Sequence, residues 1–245
     1  MNFISLAAAT ETFLVKETVI MLVTVLIAAA LGYFLGSINT AVLYSKLRYK
    51  KDIRDYGSGN AGMTNMLRTF GKGAAAITLL GDLGKTVIAI LLTQLIAMGF
   101  GSLSDQLGME YMNLAAYTAA LFSITGHCFP IYYKMRGGKG VAAVAAAAAV
   151  LSPMAFVCLL ILFVLMVWGF KYVSLASVIC VMLYPVLLNR LYGPGISNIF
   201  ALVIAALIVW RHRENIKRLW NGTENKISFK KKKKDDNGES GKDGK

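Results

Sequence analysis

Residues 141–170 read VAAVAAAAAVLSPMAFVCLLILFVLMVWGF, without one charged side chain. Pro153 divides them, and how it divides them sets the architecture of the whole chain. A proline removes an amide donor and clashes with the preceding turn, so it either kinks a helix or ends it. One reading is a single helix over 141–170 kinked at Pro153. The other is two elements, of which 141–152 reaches only about 18 Å and is too short to cross a bilayer alone.

Outward from this stretch lie further apolar segments near 18–44, 73–99, 112–133, 172–189 and 196–210. The 245 residues are 56% hydrophobic and only 16% charged, against about 25% charged in soluble globular domains. A span needs roughly 20 predominantly apolar residues, and several segments approach that. The composition therefore predicts an all-α integral membrane bundle and excludes a soluble enzyme.

The loops decide between the two readings of Pro153. Segment 45–72 carries Lys46, Arg48, Lys50, Lys51, Arg54, Arg68 and Lys72, and segment 134–139 carries Lys134, Arg136 and Lys139. The loop near 100–111 has Asp105 and Glu110 and no basic residue. Lys and Arg near span ends collect on the cytoplasmic side, so the two basic loops are expected inside and the acidic one outside. One continuous helix over 141–170 would put Arg211, Arg213, Lys217, Arg218 and Lys230 to Lys234 outside. A break at Pro153 gives seven membrane-embedded helices, N-terminus outside and C-terminus cytoplasmic. It places 23 of the 26 basic residues inside, leaving Lys16 and Arg190 outside and Lys85 in a span. The charge rule selects seven, with the short element shielded by its neighbours.

The net charge of +13 is then a sidedness signal and not a nucleic-acid footprint. Residues 1–17 lack the basic start of a secretory signal, having no Lys or Arg before Lys16. Cys128, Cys158 and Cys180 stand singly in apolar surroundings, which predicts neither disulfide nor metal framework. Gly32 and Gly36 form a GxxxG, expected to serve close packing inside the bundle. The expected organisation is one membrane-embedded domain over 1–228 and a disordered polybasic tail over 229–245. Its five consecutive lysines suit an anionic leaflet, at about 1 kcal/mol each near the surface; a merely solubilising, positive-inside tail is the other reading.

Four polar stretches share the predicted cytoplasmic side: Gly57-Ser58-Gly59-Asn60 with Thr64, Asn65 and Arg68; Gly137-Gly138-Lys139-Gly140; Ser174 and Ser177 after Lys171; and Arg211-His212 with Asn215. Glycine-rich turns can present successive backbone N–H groups to an anion, and a helix N-terminus adds its dipole. Arg68 offers a planar fork for phosphate oxygens. His212 and Asn215, three apart, share a helix face. Together they predict a phosphate site at the membrane surface.

Better-known phosphate motifs fail. Residues 57–62 satisfy GxGxxG, but a charged stretch, Arg48 to Tyr56, precedes them and no βαβ unit follows. Gly84-Lys85-Thr86 would need a Walker glycine where Leu79 stands. An H-x-x-x-x-D pair is missing, since Tyr132 follows His127 and Lys217 follows His212 at that spacing. Asp82 and Lys85, at i and i+3 in a span, are expected to face the bundle as a structural ion pair, with direct substrate contact the second reading. His127 is expected to be a hydrogen-bonded helix-end residue, with a catalytic base the alternative.

The combination resembles the bacterial acylphosphate:glycerol-3-phosphate acyltransferases, the PlsY family. The matching pieces are Asp52-Ile53-Arg54 leading to GSGNAGMTN (57–65) and Arg68, Asp82 to Lys85, GHCFP (126–130), GGKGVA (137–142), YVSLAS (172–177) and RHRENIKRL (211–219). Asn39, Met63, Thr86 and Ala143 stand where the family commonly has proline, alanine, glycine and threonine. The resemblance implies seven membrane elements and acyl transfer from acyl phosphate to the sn-1 hydroxyl of glycerol-3-phosphate, giving lysophosphatidic acid. By matched position, Ser58, Arg68, Lys139, His212 and Asn215 would carry catalysis. Gly57, Gly59, Asn60, Thr64, Asn65, Gly137, Gly138 and Ser177 would contact substrate. No metal, cofactor or acyl-CoA is implied. Expected partners are the two substrates, membrane lipid and the enzyme that makes acyl phosphate, with the site on the cytoplasmic face of a bacterial membrane.

An acyl phosphate is a mixed anhydride and already activated, so positioning and charge stabilisation suffice without a covalent intermediate. The donor's own phosphate can accept the hydroxyl proton, leaving His212 to orient substrate; His212 as general base is the rival. A transporter for organophosphate anions is the alternative of a different class. It would be expected to carry repeat-related halves, and no internal repeat is found.

Overall fold

The computed structural model describes residues 3–103 and 107–227, with side chains from residue 14 onward. Asp105 and the tail from 228, including the lysines of the expected polybasic segment, lie outside the described residues. Ten α-helices make up the described chain, with no strand among the described residues: α1 (Phe3–Gly36), α2 (Thr40–Tyr49), α3 (Met63–Phe70), α4 (Lys72–Gly101), α5 (Met109–Cys128), α6 (Val141–Leu151), α7 (Pro153–Phe170), α8 (Val173–Tyr192), α9 (Ile196–Arg211) and α10 (Arg213–Trp220). Five helical segments are long and apolar enough to cross a membrane. A sixth span results if α9 and α10, bent 58° against each other, are taken together, and α6 is a shorter apolar helix.

The stretch around Pro153 is broken as expected. Ser152 separates α6 from α7 in a non-helical conformation (φ −152°, ψ 65°), and Pro153 occupies the first turn of α7, where its missing N–H costs nothing. Short α6 is enclosed: Ala143, Ala146, Ala147 and Ala148 are buried. Its small side chains let it sit in a core with Ile90 of α4, Ile124 of α5, and Ile204 and Ile208 of α9. Helix α5 is the central post, with 67% of its span window buried, whereas α7 buries only 6% and presents an almost wholly apolar surface outward.

The glycines of the GxxxG serve the α1–α5 contact. A Cβ on Gly32 would meet the Ala119 carbonyl oxygen at 2.4 Å, and one on Gly36 the Ser123 oxygen at 2.2 Å. Hydroxyl pairs add cross-links: Thr24 with Tyr111 at 2.6 Å, Thr86 with Ser123 at 2.9 Å and Ser152 with Tyr184 at 2.9 Å. Such bonds between membrane helices average about 0.6 kcal/mol each. Thr86, one of the departures from the family pattern, thus gains a partner on α5.

One boundary differs from expectation. The segment 18–44 belongs to one candidate span, Leu14–Tyr49, but its helix is interrupted: α1 stops at Gly36 and α2 starts at Thr40. Asn39 causes the break by accepting the Val42 N–H at 3.0 Å as a helix N-cap, while its amide donates to Ala61 O at 3.3 Å. Asn39 therefore starts α2 and ties it to the loop that follows.

Candidate active site

The loop at 52–62 is assembled from its own side chains. Asp52 caps the short 3₁₀ turn Ile53–Asp55 by accepting the Arg54 N–H at 3.0 Å. Its carboxylate also takes the Arg54 guanidinium at 2.9 and 2.7 Å. The hydrogen bond from that guanidinium outweighs burial and holds the Asp52 carboxyl well below the usual range. Arg54 donates onward to Tyr133 O at 2.9 Å, tying this loop to the one at 131–140.

Asn65, expected to touch substrate, is instead the internal frame of the loop. Its Oδ1 accepts the Ser58 N–H at 2.9 Å, and its Nδ2 donates to Ile53 O at 3.2 Å and Tyr56 O at 2.9 Å. Gly57 is needed beside it: its φ is +61°, and a Cβ there would lie 2.3 Å from Asn65 Oδ1. The result leaves Ser58 exposed at the surface. At the first turn of α3, where Met63 and Thr64 stand, no side chain caps the helix. Arg68 lies one helical turn after Thr64 and is exposed.

The turn at 137–140 is shaped by contact more than by free amides. The Gly138 N–H is spent on His127 O at 3.1 Å. Arg211 donates to Gly138 O at 2.9 Å and Gly137 O at 3.3 Å. A Cβ on Gly137 would lie 2.0 Å from His127 O, and one on Gly138 2.1 Å from His127 Nε2. These two glycines are therefore packing requirements against α5, and the expected row of open N–H groups does not extend through Gly138. The imidazole is in turn held from within the bundle: Lys85 Nζ is 3.0 Å from His127 Nδ1, 3.0 Å from Asp82 Oδ1 and 2.7 Å from Ile38 O. The Asp82–Lys85 pair is thus present and buried, and His127 is the hydrogen-bonded helix-end residue expected.

Lys139 emerges from this turn and donates to Asn215 Oδ1. Asn215 Nδ2 donates to Glu224 Oε1 at 2.7 Å, Ser174 Oγ donates to the same oxygen at 2.8 Å, and Arg218 Nε donates to Glu224 Oε2 at 2.7 Å. Burial lowers the Lys139 pKa to about 8; Glu224 raises it, while Arg218, Arg211 and Arg68 press it down further. Glu224 itself is pushed up by burial, but hydrogen bonds from Asn215, Ser174 and Arg218 reverse this and hold it below the usual range. Sequence reasoning missed Glu224 as a site residue. The turn closed by Gly222 (φ +69°) folds the chain back, and the Ile227 N–H anchors it on Lys171 O at 2.8 Å.

His212 sits in the break between α9 and α10 and is buried. Its Nδ1 lies 2.8 Å from Ile208 O, and since a carbonyl only accepts, Nδ1 carries the proton. In the neutral ring Nε2 is then a free acceptor. Ser177 donates to Val173 O of its own helix at 2.8 Å and joins no wider network among the described residues. Ser58, Asn60 and Thr64 make no hydrogen bond to the Lys139 network among the described residues.

The arrangement joins an ammonium, three guanidinium groups, an imidazole acceptor and a carboxamide at one end of a helical bundle. It suits a doubly charged phosphate ester and a hydroxyl, with a hydrogen-bonded carboxylate fixing the amide that faces the lysine.

The family model described as glycerol-3-phosphate acyltransferase matches residues 26–222. A glycerol-3-phosphate acyltransferase of Clostridioides difficile (strain 630) is 40% identical over 206 residues, spanning 84% of this chain and 97% of the relative. One of Neisseria gonorrhoeae (strain NCCP11945) is 42% identical over 206 residues, 83% of this chain and 98% of the relative. Among solved structures, the chain is similar to PlsY (YgiH), an integral membrane glycerol 3-phosphate acyltransferase. Its glycerol 3-phosphate form gives a TM-score of 0.69 at 30% identity, covering 83% of this chain and 96% of that one. Its lysophosphatidic acid form gives 0.67 at 30% identity, covering 83% and 95%.

Proposed function

Because the chain belongs to the glycerol-3-phosphate acyltransferase family, we propose that it moves a fatty acyl group from acyl phosphate to the sn-1 hydroxyl of glycerol-3-phosphate, releasing lysophosphatidic acid and inorganic phosphate. The observation that carries this reading is the chain of contacts from Lys139 through Asn215 to Glu224, ringed by the cations Arg68, Arg211 and Arg218. A cluster with that much positive charge has a use for two phosphates, one on each substrate.

In this mechanism Lys139, Arg68 and the exposed Ser58 hold the phosphate groups. Nε2 of His212 accepts the hydrogen bond of the attacking hydroxyl and aims its oxygen at the acyl carbon. The oxygen attacks, the bond from acyl carbon to phosphate oxygen breaks, and the phosphate departs with that electron pair. The hydroxyl proton goes to the leaving phosphate, so no protein group changes its charge over the cycle. The cations stabilise the charge that develops on the carbonyl and on the leaving group, where preorganised donors contribute most.

The topology proposed has seven membrane elements, with the N-terminus outside and the site and C-terminus in the bacterial cytoplasm. It counts α9 and short α6 with the five longer spans and keeps the basic loops inside. The embedded domain is taken as 1–228, and the tail beyond it as a polybasic segment toward anionic lipid. Functional coupling to the enzyme that supplies acyl phosphate belongs to the same reading.

The test is direct. Purified protein given glycerol-3-phosphate and acyl phosphate should form lysophosphatidic acid, while acyl-CoA and acyl-carrier protein should not serve. Activity with acyl-CoA and none with acyl phosphate would overturn the donor assignment.

A further inference from the structure

Beside the site just described, a polar cavity of about 430 Å³ opens between the 52–62 loop and the 131–137 loop. Its cationic lining is Lys46, Arg54, Lys134 and Arg136, with Asp55 the one carboxylate. These charges are not equally engaged. Arg54 is neutralised by Asp52 at 2.7 Å, which also holds Lys46 at 3.2 Å. The Lys134 and Arg136 side chains have no ion-pair or hydrogen-bond partner among the described residues. An uncommitted ammonium and guanidinium facing one cavity call for an anion.

The backbone beneath them is strained. Lys134 and Met135 adopt φ of 56° and 58°, the left-handed region that costs side chains other than glycine roughly 1–2 kcal/mol each. Arg54 clamps this turn by donating to Tyr133 O at 2.9 Å and Arg136 O at 3.3 Å. A conformation disfavoured by its own residues and held from outside is a mark of a binding segment.

The surroundings say which kind of anion. Tyr132, which lines the cavity, is 55% exposed, and Met135 beside it 51%. On α2, Leu43 and Leu47 stand one turn apart and are both exposed, with Lys46 between them. Since α2 is the end of the candidate span Leu14–Tyr49, these exposed leucines form an apolar face at the membrane boundary, with Lys46 beside them. A soluble phosphate would find the cations but have no use for this apolar rim; a lipid would use both.

We propose that the cavity between α2 and the 131–137 turn is a separate site for the phosphate headgroup of an anionic glycerophospholipid, bound by Lys134 and Arg136 with its acyl chains against Tyr132, Met135 and the Leu43–Leu47 face. The cavity borders the substrate loops through Gly59 and Gly137, but none of Lys139, Asn215 and Glu224 lines it, and lipid binding there goes beyond the acyl transfer proposed above. A glycerol-linked phosphate could come from the lipid or from free glycerol-3-phosphate, and the experiment separates the two.

The full chain in detergent is titrated with dioleoyl phosphatidylglycerol, and retained lipid is read by native mass spectrometry. Phosphatidylcholine is the neutral control and glycerol-3-phosphate the competitor. Phosphatidylglycerol should be retained over phosphatidylcholine, and glycerol-3-phosphate should not displace it. In Lys134→Gln/Arg136→Gln its affinity should fall about thirtyfold, from two interfacial cations. Lys134→Arg/Arg136→Lys should retain it, and KM for glycerol-3-phosphate should be unchanged in both. If the double glutamine variant fails to fold, Arg136→Gln alone should lose about fivefold. Equal retention in the glutamine variants, displacement by glycerol-3-phosphate, or a raised KM would each overturn the proposal. Since retention is read without turnover, a failure of the acyltransferase reading would show separately.

Discussion

Nε2 of His127 lies so close to Gly138 that a methyl group on that glycine would come within 2.1 Å of it. The same imidazole touches the buried Lys85 at 3.0 Å. The position of the 137–140 turn, and so of Lys139, is thereby set from inside the membrane bundle. Gly138→Ala should displace the turn, because the second neighbour, Ala61 O at 2.7 Å, is backbone and cannot swing away. The expected loss is at least about a hundredfold in kcat/KM, on the scale of one misplaced group. KM for glycerol-3-phosphate should carry much of the change. Steady-state kinetics on folded variant would check this, and near-normal KM would contradict it.

The Lys139 ammonium, with its pKa lowered to about 8, gives a pH dependence with a definite sign. Below that value the lysine is charged and holds phosphate; as pH rises through it, the charge is lost and kcat/KM should fall. Beside the hydrogen bond to Asn215 Oδ1, the Glu224 carboxylate raises the lysine's pKa. In Glu224→Gln the alkaline limb should therefore move to lower pH, while the bulk of the side chain stays. A pH profile of kcat/KM for the two proteins is the measurement. An unmoved limb would show that Glu224 does not act through the lysine.

Much of this site is legible in the sequence, for reasons that also explain what is not. Lys139, His212 and Asn215 sit in short polar motifs that interrupt apolar runs, where a structural excuse is hard to find. Pro153 announces its break because it has no N–H to give. The break before α2 is hard to read: Gly36 at the end of α1 reads as a packing glycine within an apolar run, and the capping role of Asn39 needs Val42 to be placed first. Asn65 looks like a ligand because its partners, Ser58, Ile53 and Tyr56, are fixed only once the loop closes. Glu224 looks like a solvated charge after a basic helix; only the fold-back at Gly222 brings it to Asn215.

His212 is the residue on which two mechanisms divide. Its Nδ1 proton is committed to Ile208 O at 2.8 Å, which fixes the ring and turns Nε2 toward a donor. If it orients the hydroxyl, His212→Ala should cut kcat by about a hundredfold or more, within the range seen for positioned acid–base groups. The acid side of the pH–rate profile should keep its shape, because the leaving phosphate still takes the proton. An imidazole-like titration in the parent enzyme that vanishes in His212→Ala would assign the proton to the ring instead.

The Asp82–Lys85 pair, 3.0 Å apart, is the foundation on which His127 rests, and its removal can be made to distinguish charge from shape. Lys85→Met leaves the buried Asp82 carboxylate facing only His127 Nδ1 at 3.5 Å among the described residues and should destabilise the protein by about 3–5 kcal/mol, the usual cost of breaking such a pair. Asp82→Leu/Lys85→Met removes both charges and should recover most of that stability, since apolar replacements of buried pairs are often neutral. Activity should not recover in parallel, because His127 then loses the Lys85 ammonium that holds its Nδ1 and the Gly138 turn loses its fixed wall. Unfolding in detergent and kcat/KM, measured on the single and double variants, read the two effects apart. If activity returned with stability in the double variant, the pair would be serving the bundle alone and the link from α4 through His127 to Lys139 would be refuted.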